Sequence, residues 1–347
     1  MKKSKQFLWA LVAMLIAVLT IVAMLSTSRD LSWSDLMAAL ASSKKGWLFL
    51  AIVCVAGYVF FEGLALMYLL RKNSYTTTIW QGVTYAAADI YCASITPSAS
   101  GGQPVCGWFM HRDGIPGGFM SAILMMYLVT HALAALFTGL TGLFIDPSVF
   151  RGFSLFAKFL IILGYLAVLA LSIFFILCLK LGNQFKKLSV KIINGLAKKN
   201  WVKRREYWID RFDKLISDYM TSCSVMKGQF LALLAVFGLN VVQRFCQMLV
   251  CPLMYMATGG TLSHFGTVLT TQIFTMIGSL CVPIPGGMGV SDYLLYNGLS
   301  ALMDSTGALQ LELLSRSFSF YLCVLGCLVI VIVGYLFRRK QYATLRR

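Results

Sequence analysis

Charged side chains are scarce in this sequence. Of its 347 residues, 12% are Asp, Glu, Lys or Arg, whereas 59% are hydrophobic. A soluble globular domain has about 25% charged and about 45–50% apolar residues, so this composition excludes an ordinary soluble enzyme. It also excludes a disordered chain, because disordered segments are poor in hydrophobic residues. The composition predicts a protein that is embedded in a membrane.

Acidic residues are the rarer of the two charged kinds, with 13 Asp and Glu against 30 Lys and Arg and a formal net charge of +17. The basic residues concentrate in the segment 180–228 and beyond residue 337. Cytoplasmic loops of membrane proteins carry such an excess, and anionic lipid headgroups can also bind to it. We therefore predict that both segments are cytoplasmic, and we expect no direct binding of nucleic acid.

Histidine is rare, and cysteine is not clustered. The three histidines, His111, His131 and His264, lie far apart, and none of the ten cysteines forms a Cys-x-x-Cys pair. Cysteines inside apolar runs are typical of small buried side chains. We expect no metal site, no cofactor and no disulfide framework. No Ser/His/Asp set or catalytic pair of carboxylates can be assembled either, so the residues alone predict no catalytic site.

Long apolar runs are plentiful. A spanning helix needs about 20 predominantly apolar residues, and six segments meet that length. These are 7–25, 47–70, 117–145, 159–179, 229–257 and 309–337. The first follows three lysines and resembles a signal peptide, but it exceeds the usual apolar region of about 7–15 residues, so we interpret it as a retained helix. Two further apolar stretches, 79–96 and 265–303, are interrupted by proline and glycine.

The distribution of basic residues predicts whether the first interrupted stretch crosses the membrane or turns back. The N-terminal lysines predict a cytoplasmic N-terminus. If 79–96 crossed the membrane fully, the basic segment 180–228 would lie outside, against the charge rule. We therefore predict a re-entrant hairpin that turns at 97–104 and returns over 104–116, buried in protein or lining a wet cavity. The stretch 265–303 must also return to its starting side, either as a hairpin, which analogy favours, or as two full spans.

The order of span, interrupted stretch and span occurs twice, over about 47–145 and about 229–337. The charge rule and the number of membrane crossings between them give these two units opposite orientations. Paired interrupted segments in an inverted repeat point to a transport site near the membrane midplane, although each break could merely link two packed helices. The predicted fold is a single integral membrane domain, 1–347. It is all-α and polytopic, with about six full transmembrane helices, two re-entrant or broken-helix hairpins and cytoplasmic termini.

Charged residues inside the spans are the first candidates for a site, because intramembrane charges are costly and face a cavity or a partner. Glu62 and Arg244 lie near the middle of equivalent spans, and we predict that they either pair or face one aqueous cavity. Arg244 would then hold a phosphate or carboxylate, and Gln243 would extend the polar stripe. Asp89, in the first hairpin, contacts a cation or amine, or else caps a broken helix. For Glu62 and Arg244, the alternative is a purely structural ion pair.

The two breaks supply the second group of candidates. Free N–H groups at the start of a half-helix can bind an anion such as a lipid phosphate, although each break could equally be a tight turn packed against its neighbours. Arg112, near the cytoplasmic face, could reach lipid headgroups. The remaining candidates for lipid binding are Thr96, Pro97, Ser98, Gly101, Gly102 and Gln103 in the first break and Pro283, Pro285, Gly286, Gly287, Gly289 and Asp292 in the second.

The same two breaks carry a family resemblance. Residues 95–104 (ITPSASGGQP) and 112–116 (RDGIP) resemble the first signature of the lysylphosphatidylglycerol synthase transmembrane (flippase-like) family. Residues 283–290 (PIPGGMGV) resemble its second signature, a P-x-P-G-G-x-G pattern. The resemblance covers essentially the whole chain in span order. The sequence departs from the family at two places. It has Asp292 where members of the family often have Glu, and it has Val105 and Cys106 where many members have a basic residue.

The resemblance implies the membrane part of a synthase whose soluble part transfers lysine from lysyl-tRNA to phosphatidylglycerol. Such membrane parts are linked to moving the aminoacylated lipid to the outer leaflet, which repels cationic antimicrobial peptides. We expect this sequence to contain only that membrane half, in the plasma or inner membrane of a bacterium.

The predicted function is therefore translocation of phosphatidylglycerol-type lipids or lysylphosphatidylglycerol, with membrane phospholipid as the partner. One alternative is a phosphatidylglycerol lysyltransferase, or the membrane subunit of one that acts with a separate soluble aminoacyltransferase. A second alternative is a transporter of small solutes. The chain could also form a homo-oligomer.

Overall fold

The computed structural model describes residues 33–96, 99–180, 184, 217, 220, 228–282 and 284–344, and these residues form helices and connecting loops with no strand. The helices are α1 (Trp33–Ser42), α2 (Lys45–Lys72), α3 (Ile79–Ile95), α4 (Gly102–Arg112), α5 (Gly117–Ile145), α6 (Pro147–Gly152), α7 (Leu155–Lys180), α8 (Phe230–Ala257), α9 (Phe265–Ser279), α10 (Val290–Leu299), α11 (Ser305–Arg316) and α12 (Cys323–Thr344). The all-α class predicted from the sequence is confirmed.

Five of these helical stretches are long and apolar enough to cross a membrane. They are α2, α5, α8, residues 155–177 of α7, and the continuous stretch 305–338, in which a π-helical segment, Ser317–Leu322, joins α11 to α12. These stretches match five of the six predicted spans. The sixth predicted span, 7–25, lies outside the described residues, as does nearly all of the basic segment 180–228. The total number of spans and the location of the termini stay predictions.

Both interrupted stretches fold as helical hairpins whose two arms pack against each other, α3 against α4 and α9 against α10. The second arms have 11 and 10 residues. At 1.5 Å per residue such arms rise only about 15–17 Å, whereas the hydrocarbon core is about 30 Å thick. The arms are too short to span a bilayer, which favours hairpins over pairs of full spans at both positions.

The first hairpin lies directly against α2 through glycine. A Cβ added to Gly63 of α2 would lie 2.7 Å from the Val83 backbone nitrogen, and one added to Gly82 of α3 would lie 2.5 Å from the Gly63 carbonyl oxygen. Only glycine permits this backbone contact. The loop between the helices is short, so they run antiparallel. Because side chains on each helix lean toward its own N-terminus, Glu62 and Asp89 lean toward each other.

The helices pack in a pattern that the predicted repeat would produce. The equivalent spans α2 and α8 make the most extensive helix–helix contact in the described part of the chain. The first hairpin packs on the last span, α3 on α12, and the second hairpin packs on the corresponding span of the first unit, α9 on α5. A two-fold rotation that exchanges the two predicted units would exchange the contact of α3 with α12 and the contact of α9 with α5. The inverted repeat itself stays a prediction.

A short helix that the sequence analysis did not predict, α6, connects the first unit to α7. Asp146 begins it, because its carboxylate accepts a hydrogen bond from the Ser148 backbone N–H at 3.1 Å, and Pro147 occupies the first position. Thr267 at the start of the second hairpin also donates to this carboxylate, at 2.8 Å. Hydrogen bonds from Ser148, and then from Thr267, hold the pKa of the Asp146 carboxyl below its usual range.

Candidate functional site

Five helices bring a group of polar side chains together inside the bundle. We call this group the central polar cluster, and it consists of Glu62 on α2, Asp89 on α3, Gln103 on α4, His131 on α5, and Asn240, Gln243 and Arg244 on α8. Glu62, Gln243 and Arg244 are 2%, 0% and 7% exposed. The sequence analysis singled out every member except His131 and Asn240. These two residues were missed because nothing in the sequence spacing joins α5 to α8.

The acidic side of the cluster is formed by two carboxyl groups and two amides. Gln243 donates from Nε2 to Glu62 Oε2 at 2.6 Å, and Gln103 donates from Nε2 to Asp89 Oδ2 at 2.6 Å. The carboxyl groups of Glu62 and Asp89 are themselves hydrogen-bonding neighbours. The first hairpin is thereby tied to α2 at the level of the cluster, and Gln103 joins α4 to the same group.

The basic side is Arg244, and it does not form a direct ion pair with Glu62. Among the described residues, the ion pairs within 4.0 Å are Asp292–Arg316 and Asp113–Arg338. Arg244 instead donates from Nη2 to His131 Nε2 at 2.6 Å. Of the two predicted arrangements, the direct pair is not formed. Glu62 and Arg244 nevertheless lie in one cluster and interact electrostatically.

The contact with Arg244 fixes the form of the imidazole. A guanidinium group only donates hydrogen bonds and stays protonated, so Nε2 of His131 must accept and cannot carry a proton. His131 is therefore neutral, with its proton on Nδ1. That nitrogen lies 3.1 Å from the Tyr127 hydroxyl, so His131 donates to it. The chain of contacts makes Arg244 the sole charged member of the basic side.

Several atoms of the cluster have no hydrogen-bond partner although they are buried. Asn240 donates from Nδ2 to Thr130 Oγ1 at 3.0 Å, but its Oδ1 has no partner. The carbonyl oxygens of Gln103 and Gln243 and the Nε of Arg244 are also without partners. An unpaired buried polar atom costs about 1–3 kcal/mol. Three free acceptors beside one free donor favour a ligand that brings several N–H or O–H groups and one anionic group.

The first break is a tight turn at the edge of the cluster. Thr96 donates to the Cys92 carbonyl at 2.7 Å, and its oxygen accepts from the Gly101 N–H at 2.9 Å. Gly102 begins α4 directly against Asp89, so closely that an added Cβ would collide with the Asp89 carboxylate. The acid thus lies beside the start of the short helix, where it accepts from the Gln103 side chain and not from a backbone N–H. Pro97 and Ser98 lie outside the described residues.

The second break is organised around Asp292. The carboxylate accepts from the Gly289 N–H at 2.8 Å and pairs with Arg316 Nε at 2.6 Å. Arg316 also donates to the Gly286 carbonyl at 3.4 Å, and Glu312 is a hydrogen-bonding neighbour of Asp292. Asp292 therefore caps α10 and holds the break against α11. It is not part of the central polar cluster.

Positive φ angles make glycine necessary in the second break. Gly286, Gly287 and Gly289 have φ of 62°, 62° and 73°. A Cβ at Gly286 would also lie 2.5 Å from the ring of Phe320 in the π-helical segment. The segment Pro285–Gly287 packs against α3, so the second break touches the first hairpin. Pro283 lies outside the described residues.

At the far end of α4, Arg112 and Asp113 have different surroundings. The Arg112 guanidinium lies over the rings of Trp108 and Tyr335, at 4.8 and 5.6 Å from their centroids. Asp113 forms a two-pronged pair with Arg338 of α12, from Nε and from Nη2, at 2.7 Å each. The sequence analysis quoted Asp113 only as part of a motif and treated Arg338 as a cytoplasmic marker. Their contact depends on tertiary structure.

Metal binding finds no support in this part of the chain. In the described ranges, no group of three or more His, Cys, Asp or Glu side chains is placed to hold a metal ion. The chemistry that the cluster offers is recognition by hydrogen bonds and charge.

Comparison with known proteins gives a family. The family model of the lysylphosphatidylglycerol synthase TM region matches residues 9–327, which is most of the chain. No curated protein matches the sequence. The apolar helices and the family together make this a multi-pass membrane protein with a role in lysylphosphatidylglycerol synthesis or translocation. The chain belongs to the lysylphosphatidylglycerol synthase TM-region family.

Proposed function

We propose that this protein moves an aminoacylated phospholipid, of the lysylphosphatidylglycerol type, between the leaflets of a bacterial plasma membrane. The observation that carries the proposal is the central polar cluster. It places one guanidinium group beside three unpartnered acceptor oxygens inside a bundle of apolar helices. Polar groups at such a position are costly unless they serve a substrate path. Removal of the aminoacyl lipid from the inner leaflet would lower the negative charge of the outer surface and repel cationic peptides.

The chemistry of the headgroup matches the two sides of the cluster. A phosphodiester is an anion that accepts hydrogen bonds from Arg244, whose Nε has no partner. The ammonium groups of a lysyl ester donate several hydrogen bonds, and the free oxygens of Gln103, Asn240 and Gln243 accept them. Phosphatidylglycerol offers the phosphate and two hydroxyl groups but no cation. The cluster therefore suits the aminoacylated lipid better.

The hairpins supply the moving parts in this proposal. Both are short and broken, they pack on opposite units, and the second break touches α3. Many inverted-repeat transporters alternate access by rocking or gating one repeat against the other around a fixed site, and we assign this movement to the hairpins. The contacts of α3 with α12 and of α9 with α5 support such a two-unit arrangement.

A leaflet assay in liposomes tests the function. Purified protein is reconstituted with fluorescent phosphatidylglycerol or fluorescent lysylphosphatidylglycerol, and the labelled lipid that reaches the other leaflet is measured over time. Wild-type protein should move lysylphosphatidylglycerol faster than phosphatidylglycerol and faster than empty liposomes. Equal rates for both lipids would contradict the role given to the acceptor oxygens. No movement of either lipid would refute translocation and favour the membrane subunit of a lysyltransferase.

Substitution of Arg244 locates the site. Loss of a hydrogen bond to a charged group costs about 1.5–3 kcal/mol, so Arg244→Ala should slow lipid movement about 10- to 100-fold. Arg244→Lys keeps the charge but loses the planar guanidinium group. Its rate of lipid movement should therefore lie between those of wild type and Arg244→Ala. Arg151→Ala, which removes an exposed arginine from α6, is the matched control and should behave as wild type. If Arg244→Ala moves lipid at the wild-type rate, the cluster is not the headgroup site.

A further inference from the structure

The two carboxyl groups of the central polar cluster cannot both be ionised without a counter-charge. Glu62 and Asp89 are 2% and 8% exposed, and they lie within hydrogen-bond reach of each other. Two carboxyl oxygens can share a hydrogen bond only if one group carries a proton. Like charges at such a distance strongly disfavour double ionisation. The geometry therefore requires one proton, or another cation, between the two side chains.

The surroundings provide only half of the neutralising charge. The titratable and charged groups that face the pair from the neighbouring elements are Tyr58, Cys92, Cys106, Tyr127, His131, Arg244, Cys323 and Cys327. The thiols and phenols carry no charge in their usual form, and the contact with Arg244 makes His131 neutral. In this set, Arg244 alone is positive. One guanidinium balances one carboxylate, and the other carboxyl is left to hold a proton.

The amide contacts point to a proton and not to a larger cation. Gln243 and Gln103 donate to one oxygen of each carboxyl group, at 2.6 Å in both cases. A hard metal cation would need oxygen ligands around it, whereas these amides present N–H groups to the pair. The carbonyl oxygen of Gln243, whose side chain is fully buried, has no partner. It is available as an acceptor for the hydroxyl of a protonated carboxyl group.

We propose that Glu62 and Asp89 form a proton-binding site that couples lipid movement to protonation. Glu62 belongs to the span α2 and Asp89 to the first hairpin, so the shared proton is also a bond between a fixed span and a movable element. Loss of the proton leaves two like charges in contact and separates the hairpin from α2. The lysyl ammonium of a substrate can replace the proton at the same two carboxyl groups, and the displaced proton then passes to water. The coupling rests on the proposed function, but the proton site does not.

Infrared difference spectroscopy tests the proton site directly. Protonated carboxyl groups absorb in a C=O stretching region of their own, and the band shifts in heavy water. At neutral pH the wild-type spectrum should contain a component that both Glu62→Gln and Asp89→Asn lose, because each single variant leaves one carboxyl beside Arg244. Any component from the buried Glu312 should stay in both variants. Asp304→Asn, which alters an exposed acid, is the matched control and should keep the band. If only one of the two variants loses the band, the proton belongs to an isolated buried acid, and the shared site is overturned. If neither variant changes the band, the shared site is overturned as well.

A pH gradient tests the coupling. In the liposome assay, with the membrane potential held at zero, a gradient of one pH unit can drive up to about tenfold lipid asymmetry for one proton per lipid. Wild-type protein should build such asymmetry with lysylphosphatidylglycerol, and Glu62→Gln should build none. Wild-type movement that ignores the gradient would overturn the coupling. Absence of all movement would refute the proposed function and the coupling with it, while the infrared result alone decides the proton site.

Discussion

The buried pair of Asp113 and Arg338 offers a sharp test of how the first hairpin is held. Arg338 donates twice to the carboxylate at 2.7 Å, and the Tyr85 hydroxyl donates to it at 2.6 Å. The two charged side chains are only 9% and 7% exposed. Arg338→Met keeps an unbranched apolar side chain but removes the guanidinium, which lies over the rings of Tyr85 and Phe109, and leaves the carboxylate without a counter-charge. Removal of one partner of a buried ion pair typically costs about 3–5 kcal/mol.

The double variant separates a lost interaction from a stranded charge. Asp113→Asn keeps an acceptor for the Tyr85 hydroxyl and removes the negative charge, so Arg338→Met with Asp113→Asn should recover at least half of the loss. Unfolding by denaturant in detergent micelles, followed by tryptophan fluorescence, gives the free energies. Arg151→Met is the control and should stay within about 0.5 kcal/mol of wild type. A loss below about 1 kcal/mol for Arg338→Met, or a double variant as unstable as the sum of the two single variants, would refute the reasoning.

Two further tests address the hairpin. Gly102→Ala should lower the free energy of unfolding by about 1–3 kcal/mol, because the added Cβ collides with Asp89. The control is Gly238→Ala, inside α8, where nothing lies within 4 Å of the new Cβ; it should be neutral or stabilising by up to about 1 kcal/mol. An equal loss of stability in Gly102→Ala and Gly238→Ala would contradict the close contact between Gly102 and Asp89. Arg112→Cys should react only with a thiol reagent on the cytoplasmic side of oriented membranes, and reaction from the outside alone would refute the re-entrant hairpin.

Composition and hydropathy were enough to predict the scaffold. The span predicted at 117–145 coincides with α5, and the span predicted at 47–70 falls within α2. Of the predicted interruption at 97–104, residues 99–101 lie between α3 and α4, whereas residues 102–104 form the first turn of α4, where proline is tolerated. These features are local, so they can be read from one sequence. The charge rule added that the first interrupted stretch must turn back, and the short second arm agrees with that prediction.

The partners within the cluster depend on tertiary packing, which one sequence does not reveal. Arg244 was recognised as a buried charge, but its contact with His131 joins residues 113 positions apart. A lone histidine on an apolar helix gives no signal of its own. Arg338 was read as part of a basic cytoplasmic end, whereas the structure buries its guanidinium against Asp113. Each of these residues has a polar role that only the meeting of distant helices defines.

The second hairpin neutralises its acid locally. Asp292 forms an ion pair with Arg316 at 2.6 Å, and its carboxylate also caps α10 by accepting from the Gly289 N–H. All three residues belong to the second unit. The carboxylate of this hairpin therefore has a direct ionic partner.

The first hairpin lacks such a direct ionic partner, and this difference separates the roles of the two hairpins. Asp89 faces Glu62 and an amide, while the guanidinium of Arg244 donates to His131. Separation of a desolvated acid from a direct counter-charge costs free energy, and a proton or an ammonium group that arrives at the pair removes that cost. A cation that arrives at the pair should therefore change the energy of the first hairpin more than that of the second. The first hairpin is thus the element that should respond more strongly to substrate.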